Sequence, residues 1–325
     1  MRQRHFAALA LAALLPFAAP ASGKDFPQRD IQFIIPWNAG GSNDIAARQL
    51  QNIMQKQAGV SLIVENLPGA TGSIGMTRVA RSAPDGYTVG MGTSSTLAQI
   101  AQKLTDLQNS QFTPIARVSV DPLILVVHQQ NPARNLQEFL ANMKQKPVSI
   151  GTPGTNNLNH IFAEMTAQAA GTSYIHVPYT GGAKVITDLA GNQIQAAVLK
   201  PSESKGQIDA GNVRPLGVFA NERLEIMPDI PTFKELGHDV FPYGPLVQMA
   251  YVVAPAGLPQ MERDRLITLF SNAIESPEFK DFADKNGVVI SPLKGDDLTK
   301  EIDGVQNTLN SVATRIFEKA EGKKP

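Results

Sequence analysis

The chain has 325 residues, no cysteine, and 29 basic against 29 acidic side chains. Zero formal charge argues against a nucleic-acid or anionic-membrane surface, and the lack of thiols excludes a disulfide framework and a thiolate nucleophile. A chain of this length buries a large core without such staples, and at ~100–200 residues per domain two domains are the default.

Residues 1–23 read as a secretory signal peptide. Arg2 and Arg4 give a basic start, residues 6–18 form an apolar run too short to span a bilayer, and Ala19 and Ala21 supply an A-x-A cleavage pattern. No later stretch reaches the ~18 uninterrupted apolar residues of a spanning helix. The mature chain is therefore expected to be exported and soluble.

Next comes "QFIIPW" (32–37), a predicted strand, followed by a helix whose apolar positions Ile45, Ala46, Leu50, Ile53 and Met54 recur near helical spacing. "SLIVEN" (61–66) is a second strand. "PGATGSIG" (68–75) is a tight turn capping a helix that runs to Val79, and "GYTVGMGTSS" (86–95) is a third strand ending in a hydroxyl-rich loop. After the longer apolar strand "PLILVVHQ" (122–129) the same grammar restarts. "VSIGTPGTNN" (148–157) is strand then loop, 158–171 a helix closed by glycine, and 173–179, 194–202 and 213–220 are further strands. "AYVVAPAG" (250–257) opens a last section ending in helices near 261–275, 277–286 and 296–321. This alternation predicts an α/β fold with mostly parallel sheets covered by helices on both faces.

The chemistry sits in the loops. In "WNAGGSND" (37–44), Gly40 and Gly41 allow positive φ and close backbone approach, and the next amides lie at a helix N-terminus that attracts anions. Ser42 or Asn43 is a plausible N-cap. Asp44 serves either as a first-turn acid or as the partner of a ligand ammonium group. The loop is thus either a structural turn or a carboxylate site. "PGATGSIG" lacks both the dinucleotide spacing and the P-loop ending. "GTSSTL" (92–97) and "GTPGTNN" (151–157) place hydroxyls and amides just past strand ends, where open α/β sheets bind ligands.

Enzymatic readings fare worse. A Ser94, His160, Asp44 triad can be written down, but no G-x-S-x-G elbow surrounds any serine. The five histidines lack metal-ligand spacing, and His160 suits a role in its helix's first turn.

"PQRDIQFIIPWNAGGSNDIAAR", "VENLPGATGSIG", "SAPDGYTVGMGTSS", "IHVPYTGGAKVITDLAGNQIQA" and "ERLEIMPDIPTFKELGHDV" together resemble the Bug family, the periplasmic solute-binding proteins of tripartite tricarboxylate transporters. The likeness runs in register from about Phe26 to the C-terminus. It implies a type II periplasmic-binding fold, with two α/β lobes closing on a ligand cleft. Lobe 1 would be 24–126 plus 220–325 and lobe 2 would be 127–219, with hinge strands at 123–128 and 216–220. It also implies a small organic carboxylate as ligand, the transporter's membrane subunits as partners, a monomer, a periplasmic location, and no cofactor or metal.

Carried onto this chain, the ligand-binding residues would be Trp37, Ala39, Gly40, Gly41, Ser42 and Asp44 in the first loop, and Thr93 and Ser94 in the second. The facing lobe would contribute Thr152, Thr155, Asn156 and Asn157, with Lys200 and Ser202 in a further loop. Relatives often have Gly-Ser where this chain has Asn156-Asn157, and asparagine can keep the left-handed turn and cap the helix. Trp37 either walls the ligand or lines the strand end. Lys200 either reaches solvent, as lysine usually does, or enters the cleft and pairs with a second carboxylate. Alternatives to the transport reading are an exported sensor feeding a membrane kinase and, behind it, a hydrolase.

Overall fold

The computed structural model describes residues 26–241, 244 and 246–321, with side chains as far as Val312; the expected signal peptide lies outside them. The chain first lays down β1 (Ile31–Ile35), β2 (Leu62–Asn66), β3 (Thr88–Thr93) and β4 (Phe112–Val120). It then crosses to build β5 (Ile124–His128), β6 (Ser149–Thr152), β7 (Ile175–Pro178), β8 (Ala196–Leu199) and β9 (Val213–Val218). Finally β10 (Met249–Pro255) returns to the first group. Two five-stranded sheets result, ordered β2-β1-β3-β10-β4 and β7-β6-β8-β5-β9.

The two sheets share one plan. Three parallel strands are followed by an antiparallel strand reached by a crossing, then by an edge strand. Helices cover both faces, so the central strands have no solvent side: every residue of β10 is buried. The edge strands β4 and β9 carry Pro114 and Pro215, each beside a register shift. A missing N–H is tolerated there and not in a central strand.

The helices follow from their apolar faces. In α1 (Ser42–Ala58) the buried face is Ala46, Ala47, Leu50, Ile53 and Met54, whereas Ile45, expected inside, is 42% exposed. That face packs on the first sheet together with α8 (Gln260–Ile274), whose Phe270 meets Phe33 edge-on at 5.6 Å. The three closing helices are α8, α9 (Pro277–Asn286) and α10 (Gly295–Glu321), close to their expected limits. Among the described residues no helix is long and apolar enough to cross a membrane.

The chain passes between sheets at 121–123 and again at 219–248. The two passages are bonded to each other: Asp121 N–H donates to the Gln248 carbonyl at 2.7 Å, and Phe219 N–H to the Leu123 carbonyl at 2.9 Å. β5 pairs within the second sheet from Ile124 onward, so sheet membership changes slightly earlier than the expected division after Val126.

Packing is tight where these sheets meet their neighbours. Tyr251 on β10 lies opposite Gly92 on β3, and a Cβ at Gly92 would stand 2.5 Å from the tyrosine ring. Gly92→Ala should therefore destabilise the protein by about 1–3 kcal/mol through overpacking. Much of that loss should return in the Gly92→Ala, Tyr251→Leu double variant, as read from urea-denaturation midpoints.

Candidate functional site

The loop after β1 is built by Asp44. Gly40 turns with φ +82°, and its N–H donates to Asp44 Oδ2 at 2.9 Å. Arg48 bonds both carboxylate oxygens, at 3.1 and 3.0 Å, and Asn66 Nδ2 donates to Oδ1 at 3.0 Å. Burial opposes the charge of this carboxyl, but the bonds from Arg48, Gly40 and Asn66 outweigh it and hold its pKa below the ordinary value. Asp44 thus staples the loop and leaves neither itself nor the Gly40 amide free for a ligand. The N-cap of α1 is Gly41, with no side-chain cap, in place of the expected Ser42 or Asn43.

Between the sheets lies a cavity of about 170 Å³. One wall is the α1 loop, from Trp37 to Asn43, joined by Thr93 and Ser95 at the start of α3 (Ser94–Ala101). The other comprises Pro153, Asn157 and Asn159 near the start of α5 (Leu158–Ala170), and residues 181–184 opening α6 (Gly182–Ala190). Lys200 and Glu203, at the start of α7 (Pro201–Asp209), and Gln248 complete it. α1, α3 and α6 all begin here without a side-chain cap. Capping alone does not mark the site: α4 (Leu136–Gln145) is capped by Asn135 and α9 by Ser276 away from it, but α5 beside it is capped by Asn157, and α2 (Ser73–Ala80) and α8 begin uncapped elsewhere. What is particular here is that three uncapped starts face one cavity. Uncapped N-termini leave amides unsatisfied and carry partial positive charge. Three of them around one gap make a receptacle for an anion.

Trp37, Ala39, Gly41, Ser42, Thr93, Asn157 and Lys200 are the expected residues that line this cavity. The others have structural work. Ser94 Oγ donates to the Val247 carbonyl and accepts from Met249 N–H, fixing the start of β10. Thr152 Oγ1 donates to the Gly154 carbonyl at 2.6 Å. The carbonyls of Thr155 and Asn156 accept from Gln99, and that of Asn156 also from Gln102, so these residues join the lobes. Thr155 lines a neighbouring groove of about 430 Å³ beyond Trp37, Asn38 and Pro153. Ser202 sits in the first turn of α7, its hydroxyl buried. The asparagine pair keeps the loop's shape as expected: Asn156 has φ +55°, and Asn157 caps α5 by accepting from His160 N–H at 2.9 Å.

Sequence reasoning places Glu203 at the end of the cleft-lining stretch "KPSE" (200–203) without giving it a role, and it misses Asn38, Gln248 and the α6 turn. For the last a signal existed. "VPYTGG" (177–182) repeats the logic of "IPWNAGG" (35–41): strand, proline, aromatic, glycine pair, helix. The lobes meet at these two turns, where Asn38 Nδ2 donates to Thr180 Oγ1 at 2.8 Å.

Lys200 enters the cleft but does not arrive unpaired. Its Nζ lies 3.1 Å from Asp121 Oδ2, in a pair only 5% and 2% exposed, and donates to Asn43 Oδ1 at 3.3 Å. Removing one partner of such a pair strands a buried charge, at a cost of about 3–5 kcal/mol. Lys200→Ala should lose stability on that scale, and the Lys200→Ala, Asp121→Ala double variant should lose clearly less than the sum of the singles in chemical denaturation.

Behind the 152–157 loop, His160 and His176 stack at 3.7 Å. The Thr152 hydroxyl donates its hydrogen to the Gly154 carbonyl, so in its 2.7 Å contact with His176 it accepts from Nε2–H. Burial first, then the neighbouring His160, push His176 down to about 4 from 6.5. The unfolded chain thus binds the extra proton before the native one does. Stability from His176 is complete above about pH 6.5 and declines as pH falls towards 4. In acid-titration denaturation, His176→Gln should flatten that decline relative to the unsubstituted protein.

Comparison with known proteins agrees with this geometry. The family described as the tripartite tricarboxylate transporter family receptor matches residues 46–317. A UPF0065 protein of Bordetella pertussis is 32% identical over 284 residues, covering 86% of this chain and 87% of its own. Protein BugT of the same species is 31% identical over 248 residues, covering 74% of each. The solved periplasmic binding protein BugD superposes with a TM-score of 0.83 at 25% identity, covering 90% of this chain and 98% of its own. The chain belongs to the receptor family of tripartite tricarboxylate transporters and is one of its solute-binding proteins.

Proposed function

We infer that the chain is an exported, periplasmic receptor that captures a small organic carboxylate between its lobes and delivers it to the membrane subunits of a tripartite transporter. The observation that carries this reading is the convergence of the uncapped N-termini of α1, α3 and α6 on one cavity between two sheets. Backbone amides at helix starts are suited to a carboxylate, and those of both lobes would hold the same guest. The Trp37 indole N–H and the Thr93 hydroxyl are buried without partners beside them, two further donors for the ligand. Hydrogen bonds to a charged group each contribute about 1.5–3 kcal/mol, so a few suffice for micromolar affinity near −8 kcal/mol.

The hinge in this reading is the bonded pair of crossings at 121–123 and 219–248. Closure is driven by contacts the ligand makes to both lobes at once, because a guest held equally well by the open form shifts nothing.

A thermal-shift screen of mono-, di- and tricarboxylates, aromatic acids and amino acids tests it. A ligand at a hundred times its dissociation constant adds about 2.7 kcal/mol, which should raise Tm by roughly 4 °C in a chain of this length. No shift from any organic acid beyond that of sodium chloride would overturn the reading.

A further inference from the structure

The carboxylate-receptor reading leaves open what the ligand carries besides its carboxylate, and the charges around the cavity bear on that choice. Three charged side chains line it: Lys184, Lys200 and Glu203. Both lysines are already answered. Lys184 Nζ lies 2.5 Å from Asp188 on the outer side of α6, and Lys200 is buried against Asp121. The Lys200 ammonium pairs with Asp121 and bonds Asn43, so it acts on Glu203 only through space. Burial pushes the Glu203 pKa up against the pull of Lys200, and the ionised form gains from any further cation brought beside it.

The position of the Glu203 carboxylate matters as much as its charge. It accepts from the Ser42 hydroxyl at the start of α1 and from the Lys200 N–H at 3.1 Å. It also packs against Gly182 at the start of α6, where a Cβ would overlap it. It thus stands between the N-termini of helices from both lobes, where a second carboxylate of a ligand would otherwise settle. Glycine at 182 is what admits it. A further acceptor faces the same space: Gln248, 5% exposed, has its Oε1 buried without a partner and lines the cavity. The donors Trp37 Nε1 and Thr93 Oγ1 lack partners too. The cavity therefore holds donors for one carboxylate and, in Glu203 and Gln248, acceptors for a hydrogen-bond-donating group.

We propose that this receptor selects ligands bearing one carboxylate and one amine over dicarboxylates, and that Glu203 is the specificity-determining residue, an internal carboxylate standing where the second acid group would bind. A dicarboxylate would have to place its second charge beside Glu203, a like-charge contact that discriminates against it. This inference rests on the receptor reading above.

The test is isothermal calorimetry on the mature protein with isosteric pairs: β-alanine against succinate and γ-aminobutyrate against glutarate, with neutral α-amino acids and monocarboxylates alongside. The expected result is that the tightest ligand is a zwitterion, at least about tenfold tighter than its matched dicarboxylate. Glu203→Gln, which keeps the side-chain volume, should weaken the zwitterion by about tenfold or more and strengthen the dicarboxylate. Circular dichroism checks that the variant is folded, and the preference of the unsubstituted protein is decisive even if it is not. Dicarboxylates binding more tightly than zwitterions, or Glu203→Gln changing both classes equally, would overturn the proposal while leaving the receptor reading intact. Silence from every carboxylate and zwitterion would overturn both.

Discussion

The hydrogen bond from Asp121 N–H to the Gln248 carbonyl ties together the two places where the chain passes between its sheets. Both residues then act on the cleft. The Asp121 side chain accepts from Ser119 and holds Lys200, and the Gln248 side chain lines the cavity. The crossing between sheets and the cavity wall are thus one piece of covalent chain. The topology demands this arrangement. Each sheet is completed by an antiparallel strand reached through a crossing, so neither lobe finishes its core without a segment that runs past the gap between them.

Across that gap the lobes touch through neutral groups. Gln99 and Gln102 reach the carbonyls of Thr155 and Asn156, Thr71 reaches Thr155, and Asn38 reaches Thr180. Net contributions of neutral hydrogen bonds are about 0.5–1.5 kcal/mol each, so such contacts position the lobes with modest stability. The buried Lys200 pair is different in kind, since it links the second lobe to the crossing and to Asn43 on α1. Its low exposure makes the closed cleft a low-dielectric place in which any added charge needs a partner.

Much of this was legible in the residues and some was not, for physical reasons. The inner parallel strands β1, β3, β6 and β8 read clearly because they are mostly buried and rich in apolar residues, as in "QFIIPW". β4 went unread because Pro114 and Arg117 break its apolar run. It is an edge strand with a bulge, where those residues are tolerated. "TSSTLAQ" looked like a hydroxyl-rich loop but is the first turn of α3. Tertiary packing buries every residue from Ser94 to Gln99, overriding the loop preference of serine and threonine. In the site, loop positions were legible and side-chain assignments less so. Asp44 and Thr152 look like ligand groups in a linear sequence; Arg48 is a local i,i+4 partner of Asp44, but only the fold supplies Asn66 and His176. Lys200 lines the cavity, one of the two positions the sequence left open, and its partner Asp121 lies 79 positions earlier with no local pattern to join them.

The two glycine-pair turns explain why family membership is easier to recognise than ligand identity. At Gly41 and Gly181 the groups offered to an anion are main-chain amides, which no substitution can alter while the turn persists. A shared anion receptacle can therefore survive wide divergence, consistent with relatives near 30% identity over most of the chain. Discrimination among organic acids has to come from the few side chains that reach the same space. In this chain those include one lysine already paired with Asp121 at the crossing and one glutamate set between two helix N-termini. Amides at helix starts attract any carboxylate, a resident carboxylate repels the second one, and selectivity is the difference between the two effects.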